Sequence, residues 1–447
     1  MKKLFFMLAV AFTASFMTSC EKEDEFETLY SVTLALEYPE GYEAAADVKI
    51  AVKNSNSGTS YSQMTDESGE ASFELPAGVY EASSTEQRSA NGTLSNLNGL
   101  QNFTVGAGWN ASQAVAMSLT ASKASQIIIK ELYCGGCPKD DGSGSFSYGQ
   151  YVILYNNSDM DASLDNLCFA TTHPSNSNST SSYSDENGNL TYESTGVTPA
   201  GYGIWHFPTN VMLEARTQVV VALTSAIDNS TTYSQAPNFA SSSYWAAYDI
   251  EDYYHASNYP APAAEIPSSQ YLNAERFAGA SGSAWVMSGS SPGLFIFVPE
   301  EGVTPADFAN DASKSDDTNY AYSGTQLVPN DWILDAVDVF RQGYDNYKRF
   351  SATIDAGSVV HTSKLGYSIY RNVDKDATEA IEENTGKLVY NYALGTTDTA
   401  DGSTDTSSID AEASMANGAI IIYKDTNSSS NDFHQRSKAS IRDYPNN

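Results

Sequence analysis

Short apolar runs separated by long stretches of Ser, Asn and Asp recur along this chain from Tyr30 to Tyr423. That pattern suits short strands joined by polar loops. Val48-Lys49-Ile50-Ala51-Val52 alternates with a period of two, which buries one face and leaves the other wet. Further apolar runs lie at residues 126–133, 151–155, 203–207, 218–223, 284–287, 294–298, 333–340 and 419–423. A content of 29 Tyr beside only 17% charged residues fits the same reading, because aromatic side chains favour pleated, half-buried surfaces. The sequence therefore predicts an all-β protein of two β-sandwich domains, a small one over residues 30–120 and a larger one with long insertions over 125–447. Residues 121–125 form a small-residue joint between them. Thr304-Pro305-Ala306-Asp307 reads as the start of a minor helix, with Thr304 as its N-cap and Pro305 in the first turn.

Ahead of the strands, Met1-Lys2-Lys3 and the apolar run 4–16 have the charge and length of a secretion signal, too short to span a bilayer comfortably. Met17-Thr18-Ser19-Cys20 then resembles a bacterial lipoprotein cleavage box. Residues 1–19 are thus expected to be removed, Cys20 to be acylated, and residues 20–29 to act as an acidic tether. The run Glu21-Lys22-Glu23-Asp24-Glu25 looks like the surface-export signal of Bacteroidota-type lipoproteins, or is a plain solvated linker. The lipid is expected to be the sole membrane attachment.

With 23 basic against 55 acidic residues the chain carries a formal charge of −32, which makes nucleic acid and anionic lipid surfaces poor partners. Once Cys20 is lipidated, Cys134, Cys137 and Cys168 remain. In an oxidising compartment they allow one structural disulfide, either within the local pair or involving Cys168. Cys134-Gly135-Gly136-Cys137 also has metal or redox spacing, but without a second pair or a neighbouring His.

Residues 65–80 hold a turn, a strand, a Pro76-Ala77-Gly78 turn and a second strand, a hairpin that resembles the transthyretin-like or carboxypeptidase-regulatory-like module. Tyr155-Asn156-Asn157-Ser158-Asp159, followed by Leu164-Asp165-Asn166-Leu167, looks like the lamin-tail type of sandwich. In that reading Asn156 and Asn157 close a turn through their side chains, and Leu164 and Leu167 return to the core. Together with the segments 330–337, 366–373 and 423–433, the region from Gln126 to the end resembles a Bacteroidota lipoprotein family, domain of unknown function 4876. The resemblance implies a place beside TonB-dependent outer-membrane receptors and nutrient capture, with iron, haem or another metal complex as cargo. It supplies no catalytic residue.

Nor do the residues themselves spell out a reaction. His173, His206, His255, His361 and His434 are scattered without ligand spacing, and no nucleophile elbow, phosphate loop or dinucleotide fingerprint occurs. Asp398, Asp401, Asp405 and Asp410 cluster as hard oxygen ligands for Ca²⁺, though not at EF-hand spacing. Asp398-Thr399-Ala400 matches a short O-glycosylation acceptor pattern, which would put Thr399 on the surface. The densest aromatic stretch, residues 244–260, either packs its own loop or faces a ligand through Trp245, Tyr253, Tyr254 and His255. The expectation is a non-enzymatic outer-membrane lipoprotein, exposed at the cell surface, that captures ligand for a TonB-dependent receptor. An adhesive surface protein and a glycan-active hydrolase are the alternatives.

Overall fold

A computed structural model describes residues 28–442, apart from residues 91–92, 124, 180, 186–187, 317–323 and 400–401. The expected signal peptide, tether and acylated Cys20 lie outside the described residues. The all-β reading holds: the described residues are mostly strand and loop, with a few short helices.

The N-terminal strands are β1 (Leu29–Glu37), β2 (Lys49–Asn54), β3 (Ser60–Met64), β4 (Glu70–Pro76), β5 (Gly78–Ala90), β6 (Thr93–Val105), β7 (Val115–Ser118) and β8 (Thr120–Lys123). They form a three-stranded sheet in the order β4-β1-β7 and a five-stranded sheet in the order β3-β2-β5-β6-β8. Between the sheets lies a core that includes Val32, Leu34, Ile50, Val52, Phe73, Tyr80 and Met117. The period-two pattern is the cause: Ile50 and Val52 are buried while Lys49 and Lys53 face water. The hairpin expected at residues 65–80 is corrected. Its two strands belong to different sheets, since β4 pairs with β1 while β5 pairs with β2 and β6. Pro76, Ala77 and Gly78 turn the chain from one layer of the sandwich to the other, because Pro76 lacks the N–H that would continue a ladder.

The larger sheet is built from β9 (Ile127–Tyr133), β10 (Tyr151–Asn156), β11 (Cys168–Thr171), β12 (Gly203–His206), β13 (Gln218–Ala222), β14 (Trp245–Ala247), β15 (Tyr271–Arg276), β16 (Gly293–Phe297), β17 (Ile333–Arg341), β18 (Val359–His361), β19 (Ser368–Arg371) and β20 (Phe433–Arg436). Its order is β18-β17-β16-β11-β12-β15-β14-β13-β10-β9-β19-β20. The sheet curls until its two terminal strands, β18 and β20, lie beside each other. Its halves enclose a common core of Ile129, Leu132, Leu154, Phe169, Trp205, Leu294, Ile296 and Val337, among others. Strand β9 is buried along its whole length, as befits a strand covered on both faces.

Several local readings hold at atomic level. Asn156 Oδ1 accepts from the Ser158 N–H at 3.1 Å and closes the expected turn, whereas Asn157 does not: its side chain exchanges two hydrogen bonds with the distant Tyr423 backbone at 2.9 and 3.0 Å. Leu164 and Leu167 are buried. Thr304 caps the helix Pro305–Asn310 in a reciprocal capping box with Asp307.

Two expected strands are not strands. Residues 284–287 and 419–423 bury most of their apolar side chains, Val286 excepted, but several of their backbone donors go to side chains rather than to a ladder. Trp285 N–H donates to the Tyr259 hydroxyl, Ile420 N–H to Asn384 Oδ1 and Ile422 N–H to Thr378 Oγ1. A buried N–H needs a partner, and a well-placed side chain serves as well as a neighbouring strand.

Candidate functional site

The aromatic connection leaves β13, passes through β14 and runs to β15. Its inner half is core. Tyr253, only 1% exposed, packs on Trp205 with ring centroids 5.5 Å apart, and Tyr259 packs on the same indole at 5.6 Å. Tyr253 donates to the Tyr202 carbonyl at 3.0 Å, and Trp285 Nε1 donates to the Gly203 carbonyl at 3.0 Å. Tyr259 donates to the Trp285 carbonyl and accepts from the Trp285 N–H, both at 3.1 Å. Trp245 meets Phe207 edge-on at 4.8 Å. Gly203 sits where no other residue fits: its φ is +153° and a Cβ there would run into the Tyr253 hydroxyl.

The outer half of the same connection faces solvent. Tyr253 N–H donates to the Asp249 carbonyl, closing a turn, and both Tyr254 and His255 donate their N–H to the Ser283 carbonyl at 3.1 Å. These bonds join segment 249–255 to segment 283–286, and the joined segments carry Tyr254 at 61% exposure, Ile250 at 55% and Val286 at 49%. His255 is exposed beside them. Asp249 accepts from the N–H groups of Glu251 and Asp252, so a rim of carboxylates borders the apolar tip. Burial and the neighbouring Asp249 push Asp252 above the usual carboxylate range, and burial with Asp252 and Asp249 does the same to Glu275.

The four aromatic candidates are thus not brought onto one face. Tyr253 and Trp245 support the loop from within; Tyr254 and His255 are presented outward. Burial drives the Tyr253 phenol far above its ordinary value, so it stays protonated and is a poor iron ligand. The chemistry available at the outer surface is contact: an apolar tip on a rigid base, rimmed by negative charge.

The remaining candidates fall elsewhere. The expected disulfide is corrected, since Cys134, Cys137 and Cys168 are free and buried. Alternation along the strand explains the first pair. Cys134 points into the inter-sheet core, whereas Tyr133 points to the opposite face and Cys137 lies beside its hydroxyl. Cys168 donates to the Asn166 carbonyl in a different cluster. Burial pushes Cys134 up to about 12 and Cys168 well above its ordinary value, which keeps both as unreactive thiols. Thr399 is partly exposed. Asp405 accepts from the Val373 and Ser407 N–H groups, and Asp410 caps the helix Ala411–Ala416. Asp401 lies outside the described residues. Among the described residues no group of three or more His, Cys, Asp and Glu side chains is arranged to hold a metal ion.

Sequence reasoning missed a buried charge cluster where β17 crosses β9 and β19. Asp335 pairs with Arg371, whose guanidinium also lies 3.7 Å from Asp425 and 3.6 Å from Asp432. Three residues along, Asp338 holds Arg349 at 2.6 Å and Lys348 at 3.3 Å. The signal was present in Ile333-Leu334-Asp335-Ala336-Val337-Asp338-Val339-Phe340, where two carboxylates interrupt an apolar run that the core must swallow.

Comparison with known proteins places this region. Residues 217–392 match the family described as Protein of unknown function (DUF4876), a span narrower than the expected reach from Gln126 to the end. No curated protein matches the chain. Among solved structures, the crystal structure of a DUF4876 family protein from Bacteroides thetaiotaomicron VPI-5482 is similar at 19% identity and a TM-score of 0.47, covering 90% of this chain and 94% of that one. The matched span runs from β13 through the aromatic connection to β17 and β19, and over that span the chain is similar to the DUF4876 family of proteins of unknown function.

Proposed function

We propose that this chain is a non-catalytic, lipid-anchored protein of the outer-membrane surface that docks onto a TonB-dependent receptor. The apolar tip of Ile250, Tyr254 and Val286 would be the contact. The observation that carries this reading is the exposure of three large apolar side chains on joined segments whose inner face is fixed by buried rings and hydrogen bonds. Exposed apolar groups cost least on a surface that is covered in use, and a rigid base lowers the entropy lost on covering it. Cargo, with iron, haem or another metal complex foremost, would pass at the junction of the two proteins, with His255 the exposed ring beside it. The acidic rim would repel other acidic surface proteins and select a receptor face of opposite sign.

The test is capture from detergent-solubilised envelopes, with a photo-crosslinking residue at position 254 and mass spectrometry of the products. A TonB-dependent receptor should crosslink to the parent and be lost when Ile250→Asp and Val286→Asp are added, with the crosslinking residue kept at position 254 and the unfolding temperature unchanged. Crosslinks to lipid or to other copies of this chain alone would overturn the reading.

A further inference from the structure

The small N-terminal sandwich carries a groove of about 650 Å³, walled by β6 on one side and β7 on the other and floored by the connection 106–114. That size falls within the range of small-ligand sites. The groove is open because β8 pairs only with residues 95–98 of β6, leaving the stretch from Gln101 to Thr104 uncovered on that side.

Trp109 is the fixed element of the groove. Its Nε1 donates to the Ser31 carbonyl at 2.9 Å, which anchors the indole through its polar edge. Behind it Phe103 lies 6.3 Å away, itself stacked on Tyr80 at 5.5 Å, so a column of rings sets the indole's tilt from the core outward. With its N–H already used, what Trp109 offers a ligand is ring surface. Also lining the groove are Gln101, on the same face of β6 as Phe103, and Gln113, which is exposed and whose amide makes no side-chain hydrogen bond among the described residues. Each of these groups can both donate and accept. No lining residue is ionisable, in a chain whose formal charge is −32.

A held aromatic face, flanked by neutral groups that donate and accept in equal measure, fits a ligand with alternating C–H faces and hydroxyl edges. We infer that this groove binds a neutral polysaccharide, with Trp109 stacking on one sugar ring and Gln101 and Gln113 meeting its hydroxyls. Charged glycans are disfavoured twice, by the absence of any counter-charge in the groove and by the field of the acidic chain. The site lies in the N-terminal strands and is independent of the proposed receptor contact at Tyr254.

The experiment is native affinity electrophoresis of the full chain through gels containing starch, mannan, xylan or mixed-linkage β-glucan, with heparin as the anionic comparison. At least one neutral polymer should retard the protein and heparin should not. Trp109→Ala should weaken retardation at least tenfold. Because Trp109 also supports the module, two milder variants accompany it: Gln113→Ala, an exposed change expected to weaken binding severalfold, and Trp109→Phe, expected to keep part of it. Failure of every neutral polymer, equal retardation by heparin, or wild-type binding by Gln113→Ala and Trp109→Phe together would each overturn the inference.

Discussion

Arg371 and Asp355 show how much of this molecule is decided by single buried charges. The Arg371 guanidinium also donates to the Ile129 carbonyl, so it ties β19 to β9 as well as facing three carboxylates. Asp355 accepts from the Ser429 hydroxyl and from the N–H groups of Ser429, Asp338 and Gly357. Even so, burial outweighs those donors and the nearby Lys348, and its carboxyl is pushed up to about 6. An acid raised in the folded state holds its proton where the unfolded chain, at roughly 3.9, has lost it. Its contribution is therefore fully present below about pH 4 and is lost as pH rises through 6. Folding free energy should fall by about 1 kcal/mol between pH 5 and pH 7 from this group alone, read from urea midpoints, with Asp355→Asn flattening the slope. Glu412 works in another window. Despite its burial, the Lys130 ammonium at 2.7 Å holds it at about 2, so its contribution is lost only as pH falls well below 4. The sequence showed that Asp335 and Asp338 interrupt an apolar run. It could not show their cations, because Arg371 and Arg349 reach them across the fold rather than along the chain.

Among the elements, the aromatic connection shows where local pattern stops being informative. Tyr253 and Tyr254 are neighbours in a run of aromatics and acids, yet one is core and the other surface. What separates them is the turn closed onto Asp249 and the shared acceptor at Ser283, neither of which has a sequence signature. The capping box at Thr304 and the turn closed by Asn156 were legible because their partners lie within a few residues, whereas the Asn157 partner, Tyr423, lies across the fold. The apolar runs at 284–287 and 419–423 were misleading for the converse reason: their hydrogen-bond partners are side chains far along the chain. Tyr259 is the sharpest test of that substitution of side chain for ladder. Tyr259→Phe should cost about 1–3 kcal/mol by stranding both polar groups of the Trp285 backbone, while Tyr254→Phe on the same loop should stay within roughly 0.5 kcal/mol. Comparable losses in both, measured by chemical denaturation, would show that the hydroxyl of Tyr259 does not replace a ladder bond.

At the scale of the whole molecule, the strand periods made an all-β chain legible, but not the order of the strands. The twelve-strand sheet joins strands far apart in sequence, such as β11 to β16 and β9 to β19, and no period or turn motif encodes such pairings. The N-terminal core, from Val32 to Leu119, is self-contained. Its links to the rest include Asn431 to Thr85 at 3.0 Å, and at the joint Ser125 N–H donates to Asp425 at 2.9 Å. Two unfolding transitions are therefore expected by calorimetry, the smaller belonging to residues 29–123. A single transition with calorimetric and van't Hoff enthalpies equal would mean that the sandwich is fused to its neighbour.

The curl that brings β18 beside β20 has a consequence for how such a chain behaves in company. Strand ends of a sheet are its sticky sides, where a second polypeptide can zip on through bare amides. Here the two ends are turned toward each other, and the Thr362 N–H is already taken by the Gln435 side chain. Copies packed densely side by side can then jostle without polymerising through this sheet, so long as the seam between its first and last strands stays shut.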